Sequence, residues 1–184
     1  AISGNYVIVG AYQEDEDASE ANNLYGSGSA YIFNKDQGGT DNWGQVKKIT
    51  ASTRAASDNF GKSLAISGDY VVVGAYQEDE DASEANTLSN SGSCYIFKKD
   101  QGGTDNWGQI KKITASTRAS NDIFGWSVAI SGDNVIVGAI TEDEDASEAN
   151  TLSNSGSAYI FSKDQGGTDN WGQVKKITAS TRAV

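Results

Sequence analysis

The residues in this chain best suited to chemistry are carboxylates, and they come in three runs. Glu14-Asp15-Glu16-Asp17 returns as Glu78-Asp79-Glu80-Asp81 and as Glu142-Asp143-Glu144-Asp145, each trailed by a further glutamate, Glu20, Glu84 or Glu148. Fifteen of the 25 acidic residues lie there, so the charge is concentrated rather than spread. Oxygen donors at this density are candidate ligands for Ca2+ or another hard cation, which takes about six to eight of them. Paired carboxylates also serve glycoside hydrolysis, but that needs two acids in unlike electrostatic surroundings. Three identical runs offer no such asymmetry. The plainer reading is three solvated loops whose mutual repulsion keeps a repetitive chain soluble.

The second candidates are Trp43, Trp107 and Trp171, each preceded by Gly-Gly-Thr-Asp-Asn. Aromatic faces beside Asn and Asp side chains are suited to glycans, and repetition would make such a protein a multivalent lectin. Large aromatics also pack between layers as core, and that reading is favoured here. Histidine is absent, which removes Ser-His-Asp and Cys-His nucleophile systems. Cys94 stands alone, where the other copies have Ala30 and Ala158, so no disulfide framework forms within one chain. The expectation is a non-enzyme.

These residues recur because the whole chain recurs. The tryptophans are spaced 64 residues apart, giving units 1–64, 65–128 and 129–184. The second and third units, compared over 65–120 and 129–184, differ at only eight positions, Tyr70/Asn134 and Cys94/Ala158 among them. One such unit cannot bury its apolar face alone, so neighbouring units must cover it.

Within the second unit, Ser63–Ser67 alternates and ends at Gly68-Asp69, a two-residue turn signal. Tyr70–Ala75 is β-branched and apolar enough for a strand buried on both faces. A long acidic link, 76–92, leads to a third strand at Ser93–Lys98, and a turn-forming cluster then leads to a fourth at 107–114. Its paired lysines suit an outer edge strand, where charge discourages pairing with foreign sheets. No stretch has helical periodicity with caps. Four antiparallel strands per repeat predict an all-β chain, a β-propeller with three blades; a β-solenoid is the alternative. In a meander, the links between strands 2 and 3 leave on the same face as the links between blades. The acidic loops should therefore crown one face, beside Arg54, Arg118 and Arg182.

Phe60-Gly61 with Gly74-Ala75, and Phe124-Gly125 with Gly138-Ala139, bracket the first two strands of their units. Together with the segments SGSCYIF and WGQIKKITAS, they make the chain resemble the FG-GAP repeat, the blade of integrin-α-type propellers, in its bacterial extracellular variety. That resemblance implies an extracellular or cell-surface protein serving adhesion or structure. Two departures accompany it. The proline of GAP is replaced by Tyr12, Tyr76 and Ile140. The family's calcium loop between the first two strands is shrunk to Ser67-Gly68-Asp69, too short to supply the oxygens, so that site is not carried over.

A net charge of −11 argues against nucleic-acid partners, which need basic clusters. No apolar run reaches the length of a membrane span. The chain opens at Ala1 and stops at Val184, out of phase with its repeat. Three blades do not close a ring, so the expected partners are other copies, in a homo-oligomer or filament, or neighbouring blades of a longer chain.

Overall fold

The structure, a computed structural model, describes residues 1–182. Twelve strands form three antiparallel sheets. The first holds β1 (Ile2–Ser3), β2 (Tyr6–Ala11), β3 (Ser29–Asn34) and β4 (Gly44–Ile49). The second holds β5 (Ser63–Ser67), β6 (Tyr70–Ala75), β7 (Ser93–Lys98) and β8 (Gly108–Ile113). The third holds β9 (Phe124–Ser131), β10 (Asn134–Ala139), β11 (Ser157–Ser162) and β12 (Gly172–Ile177). Strand order follows chain order in every sheet, as a propeller blade requires, and the ring is not closed. Three separate sheets exclude the solenoid. The 64-residue phase places its boundaries inside β5 and β9, whereas the sheets themselves break at the links 50–62 and 114–123.

The core lies between sheets, not within them. On β6, alternate side chains point to opposite faces. Val71, Val73 and Ala75 join a buried cluster with Ile8, Ala30, Ile32 and Ile49 of the first sheet. Val72 joins another with Val135, Val137 and Tyr159 of the third. Apolar residues on both faces of one strand are thus accounted for: each inner face has its own neighbour.

The Phe-Gly segments lock these joints. Phe60 and Phe124 are fully buried, each edge-to-face with a tyrosine and a phenylalanine of its own sheet. The approach to the preceding sheet is too close for any side chain. A Cβ on Gly74 would overlap the Gly125 carbonyl, and one on Gly92 the Phe124 carbonyl. Glycine here is a requirement of contact between sheets.

Candidate functional site

The acidic loops and the interblade links meet on one face. Each link arginine grips its own blade's loop through main-chain carbonyls: Arg54 donates to Asp15 O (2.6 Å) and Asn22 O (2.9 Å), and Arg118 to Asp79 O (2.5 Å) and Asn86 O (2.9 Å). Arg182 repeats this with Asp143 O and Asn150 O. Ser27, Ser91 and Ser155 hydroxyls complete the grip.

Within each run the four carboxylates have separate tasks. Asp17, Asp81 and Asp145 close a tight turn. In the second loop, Asp81 Oδ1 accepts from the Ser83 amide (2.8 Å), the Ser83 hydroxyl (2.6 Å) and the Ala85 amide (3.2 Å), while Asn86 donates to Oδ2. These bonds, led by the serine and asparagine side chains, hold the carboxyl well below the usual range in all three copies. Asp15, Asp79 and Asp143 accept a main-chain amide from across the loop, each at 2.7 Å. Half of the acidic run is therefore loop architecture.

Glu78 and Glu142 turn inward to meet a lysine. Lys112 Nζ lies 2.9 Å from Glu78 and 3.0 Å from Glu84; Lys176 Nζ lies 2.8 Å from Glu142 and 3.1 Å from Glu148. β4, β8 and β12 are edge strands of their sheets, as the lysine pairs suggested, yet one lysine of each pair points inward. Neighbouring residues on a strand face opposite ways, so Lys48, Lys112 and Lys176 are buried while Lys47 and Lys111 reach toward the next sheet. Glu78, Glu80 and Glu84 each bring an oxygen within 4.8 Å of the others, as do Glu142, Glu144 and Glu148. The ammonium sits among them, where it neutralises the charge a bound cation would otherwise meet. Burial, then the adjacent Glu80, push the Glu78 carboxyl up. Glu14, in the first sheet, differs: Tyr31 donates to it (2.8 Å) and Lys48 is 3.9 Å away. Glu16, Glu80 and Glu144 have no cation in direct contact among the described residues.

Two buried carboxylates had no signal in composition or motif. Asp58 and Asp122, in the links, are buried beneath the acidic loops. Each accepts the amide three residues before it, from Ala55 (2.7 Å) and Ala119 (2.6 Å). Burial, reinforced by Glu78, Glu80 and Asp79 against the pull of that amide, pushes Asp58 up to about 7. The same causes, with Glu142, Asp143 and Glu144, push Asp122 up to about 6.

The repeat tryptophans occupy the joints. Trp107 and Trp171 are 1% exposed, edge-to-face against Tyr6 and Tyr70 of the preceding sheet at 5.2 and 5.3 Å. Trp43 has no preceding sheet and is 37% exposed. All three stand at positive φ, near 50°, which turns the indole out of its own strand toward the neighbour. Around each buried indole the polar pairs repeat. The Tyr6 hydroxyl donates to Asp105 (2.7 Å), and the Tyr70 hydroxyl to Asp169 (2.8 Å). Lys47 donates to Asn106 (2.8 Å), and Lys111 to Asn170 (2.9 Å). Gln109 exchanges two bonds with Ser52 (3.0 and 2.9 Å), and Gln173 two with Ser116 (2.9 and 2.8 Å).

No membrane-length apolar helix is present among the described residues. A family model described as the FG-GAP repeat matches residues 43–97 and again 107–161, together more than half the chain. Each match runs from a repeat tryptophan on one sheet to the third strand of the next, so the family unit straddles a joint. No curated protein matches the chain.

Proposed function

The chain belongs to the FG-GAP repeat family, and from that premise we propose that it is a non-catalytic extracellular protein whose blades serve as an adhesive or structural scaffold. FG-GAP repeats build propeller-like domains that often take part in adhesion, are typically extracellular and are generally non-catalytic. The observation that carries the reading for this chain is the repetition of its joints. Tryptophan, tyrosine, lysine and glutamine recur with the same partners in both, and the acidic loops are braced identically by Arg54 and Arg118. The joint side chains hold blade to blade, while most of the acidic carboxylates hold their own loops and lysines. What is left to meet a partner is a rigid, strongly acidic face repeated at fixed spacing.

Carbohydrate binding would need an open aromatic face, and of the three repeat tryptophans Trp43 alone has one. The scaffold reading is tested on beads coated with the folded chain. They should attach to matrix-coated or cell-covered surfaces, or to one another, more than beads carrying the heat-unfolded chain. Glycosidase, esterase and peptidase substrates should stay intact. Beads that remain dispersed and unattached, or a substrate turned over, would count against it.

A further inference from the structure

The two end faces of the molecule are complementary to each other. Of the nine exposed large hydrophobic residues among the described residues, six lie on them: Ile2, Val9 and Trp43 on the first sheet, and Ile136, Val174 and Ile177 on the third. Their repeat counterparts lie in the joints, where Ile66, Val72, Val73, Trp107 and Ile113 are all buried. Ile2 is 65% exposed, Val174 54% and Val9 49%. An apolar surface this strongly exposed at both ends is costly in water.

The polar groups match as well. Lys175 stands where Lys47 and Lys111 stand, and Asn42 where Asn106 and Asn170 accept from them. Ser180 corresponds to Ser52 and Ser116, and Gln45 to Gln109 and Gln173. Ser131 corresponds to Ser3 and Ser67, whose hydroxyls accept the Gly68 and Gly132 amides at 3.2 and 3.3 Å; Gly4 offers the equivalent amide. The side chains of Lys175, Ser180 and Gln45 have no polar partner among the described residues.

Resting on the scaffold reading, we infer that the open face of the third sheet docks onto the open face of the first sheet of a second copy, rebuilding the internal joint between chains. The contact is heterologous, and it closes a ring or extends a filament according to its rotation. One part of the internal joint is absent from it. Asn134 replaces Tyr6 and Tyr70 and is too short to reach the aspartate opposite, and Asp41 is already paired with Lys35 at 3.0 Å. The groove beside Gly138, Gly156, Ala158 and Ile177, about 540 Å³, corresponds to the seat of Phe60 and Phe124. The joint between copies is therefore weaker than the internal ones and depends on concentration.

Light scattering behind size exclusion tests this on the full chain. Mass should rise above one chain as concentration rises. Val9→Glu, on one end face, and Val174→Glu, on the other, should each stay at one chain where the parent associates. An equimolar mixture of the two should give a species of two chains and none larger, because each supplies the face the other has lost. That recovery also shows that the intact faces are folded; Ile2→Glu and Lys175→Glu are a second pair, should either valine variant fail a circular-dichroism melt. A parent that stays at one chain throughout, or blocked variants that associate as the parent does, would overturn the docking. The scaffold reading would survive that result, since bead attachment tests it separately.

Discussion

The first sheet and the second carry nearly the same residues in unlike surroundings. Trp43 and Trp107 share a left-handed backbone and the same preceding turn, yet one is largely open and the other sealed. Val9 is exposed where Val73 is buried, and Glu14 takes a tyrosine where Glu78 takes a lysine. The second sheet has a neighbour on both sides and the first on one. Burial in this fold thus belongs to the joint and not to the repeat unit, as expected of an architecture whose stability is a sum of units and nearest-neighbour interfaces. Changing the same residue at both places measures what the neighbour contributes.

The largest effect should come from the indoles. Trp107→Ala empties the joint between the first two sheets and should lower unfolding stability by about 3–5 kcal/mol. Trp43→Ala should cost about 1 kcal/mol or less, since surface substitutions seldom cost more. Urea titration followed by circular dichroism measures both. Equal losses would mean that the tryptophan stabilises its own turn and the joint adds nothing.

A smaller effect separates the link aspartates from the loop aspartates. Asp58 and Asp122 are protonated more readily when folded than when unfolded, at about 7 and about 6 against an ordinary value near 4. The folded chain then binds more protons, so their contribution to stability is complete below pH 4 and is lost as pH rises toward 7. Asp17, Asp81 and Asp145 act in the opposite sense, but only in strong acid, because their carboxyls are lowered. Melting temperature should accordingly be higher at pH 5 than at pH 8. Asp58→Asn should narrow that gap by raising the pH 8 value a few degrees. A variant melting lower than the parent at pH 8 would show that Asp58 holds the joint in its charged form.

Strand positions were legible because a period of two is hard to hide. Ser63–Ser67, Tyr70–Ala75 and Ser93–Lys98 match β5, β6 and β7 residue for residue. The fourth strand begins one residue late, at Gly108, because Trp107 leaves the strand in a left-handed conformation that residue type does not signal. The joints were legible in part: the tryptophans were favoured as core. The inward lysines were readable in principle, since Lys111 and Lys112 must face opposite ways on a strand. The turn-closing role of Asp81 was equally readable from Ser83 and Asn86 following it. Asp58 was not, because Ser-Asp-Asn looks like linker until the neighbouring sheet covers it.

The smallest effect concerns metal, and it follows from the lysines. In the second and third blades three glutamates converge, which alone would invite calcium. Lys112 and Lys176 already supply a positive charge within 3.1 Å of two of the three, and calcium would have to displace an ammonium to gain those oxygens. In the first blade Glu14 is turned toward Tyr31, and no such convergence exists. Replacing EDTA with millimolar calcium should therefore leave the melting temperature of the intact chain unchanged. Should calcium raise it, the comparison between blades locates the cause. Glu80→Gln would reduce the rise and Glu16→Gln would not, because the second and third loops gather their carboxylates and the first does not. A rise abolished by Glu16→Gln instead would place the ion at the first loop and break the link between metal affinity and a preceding blade.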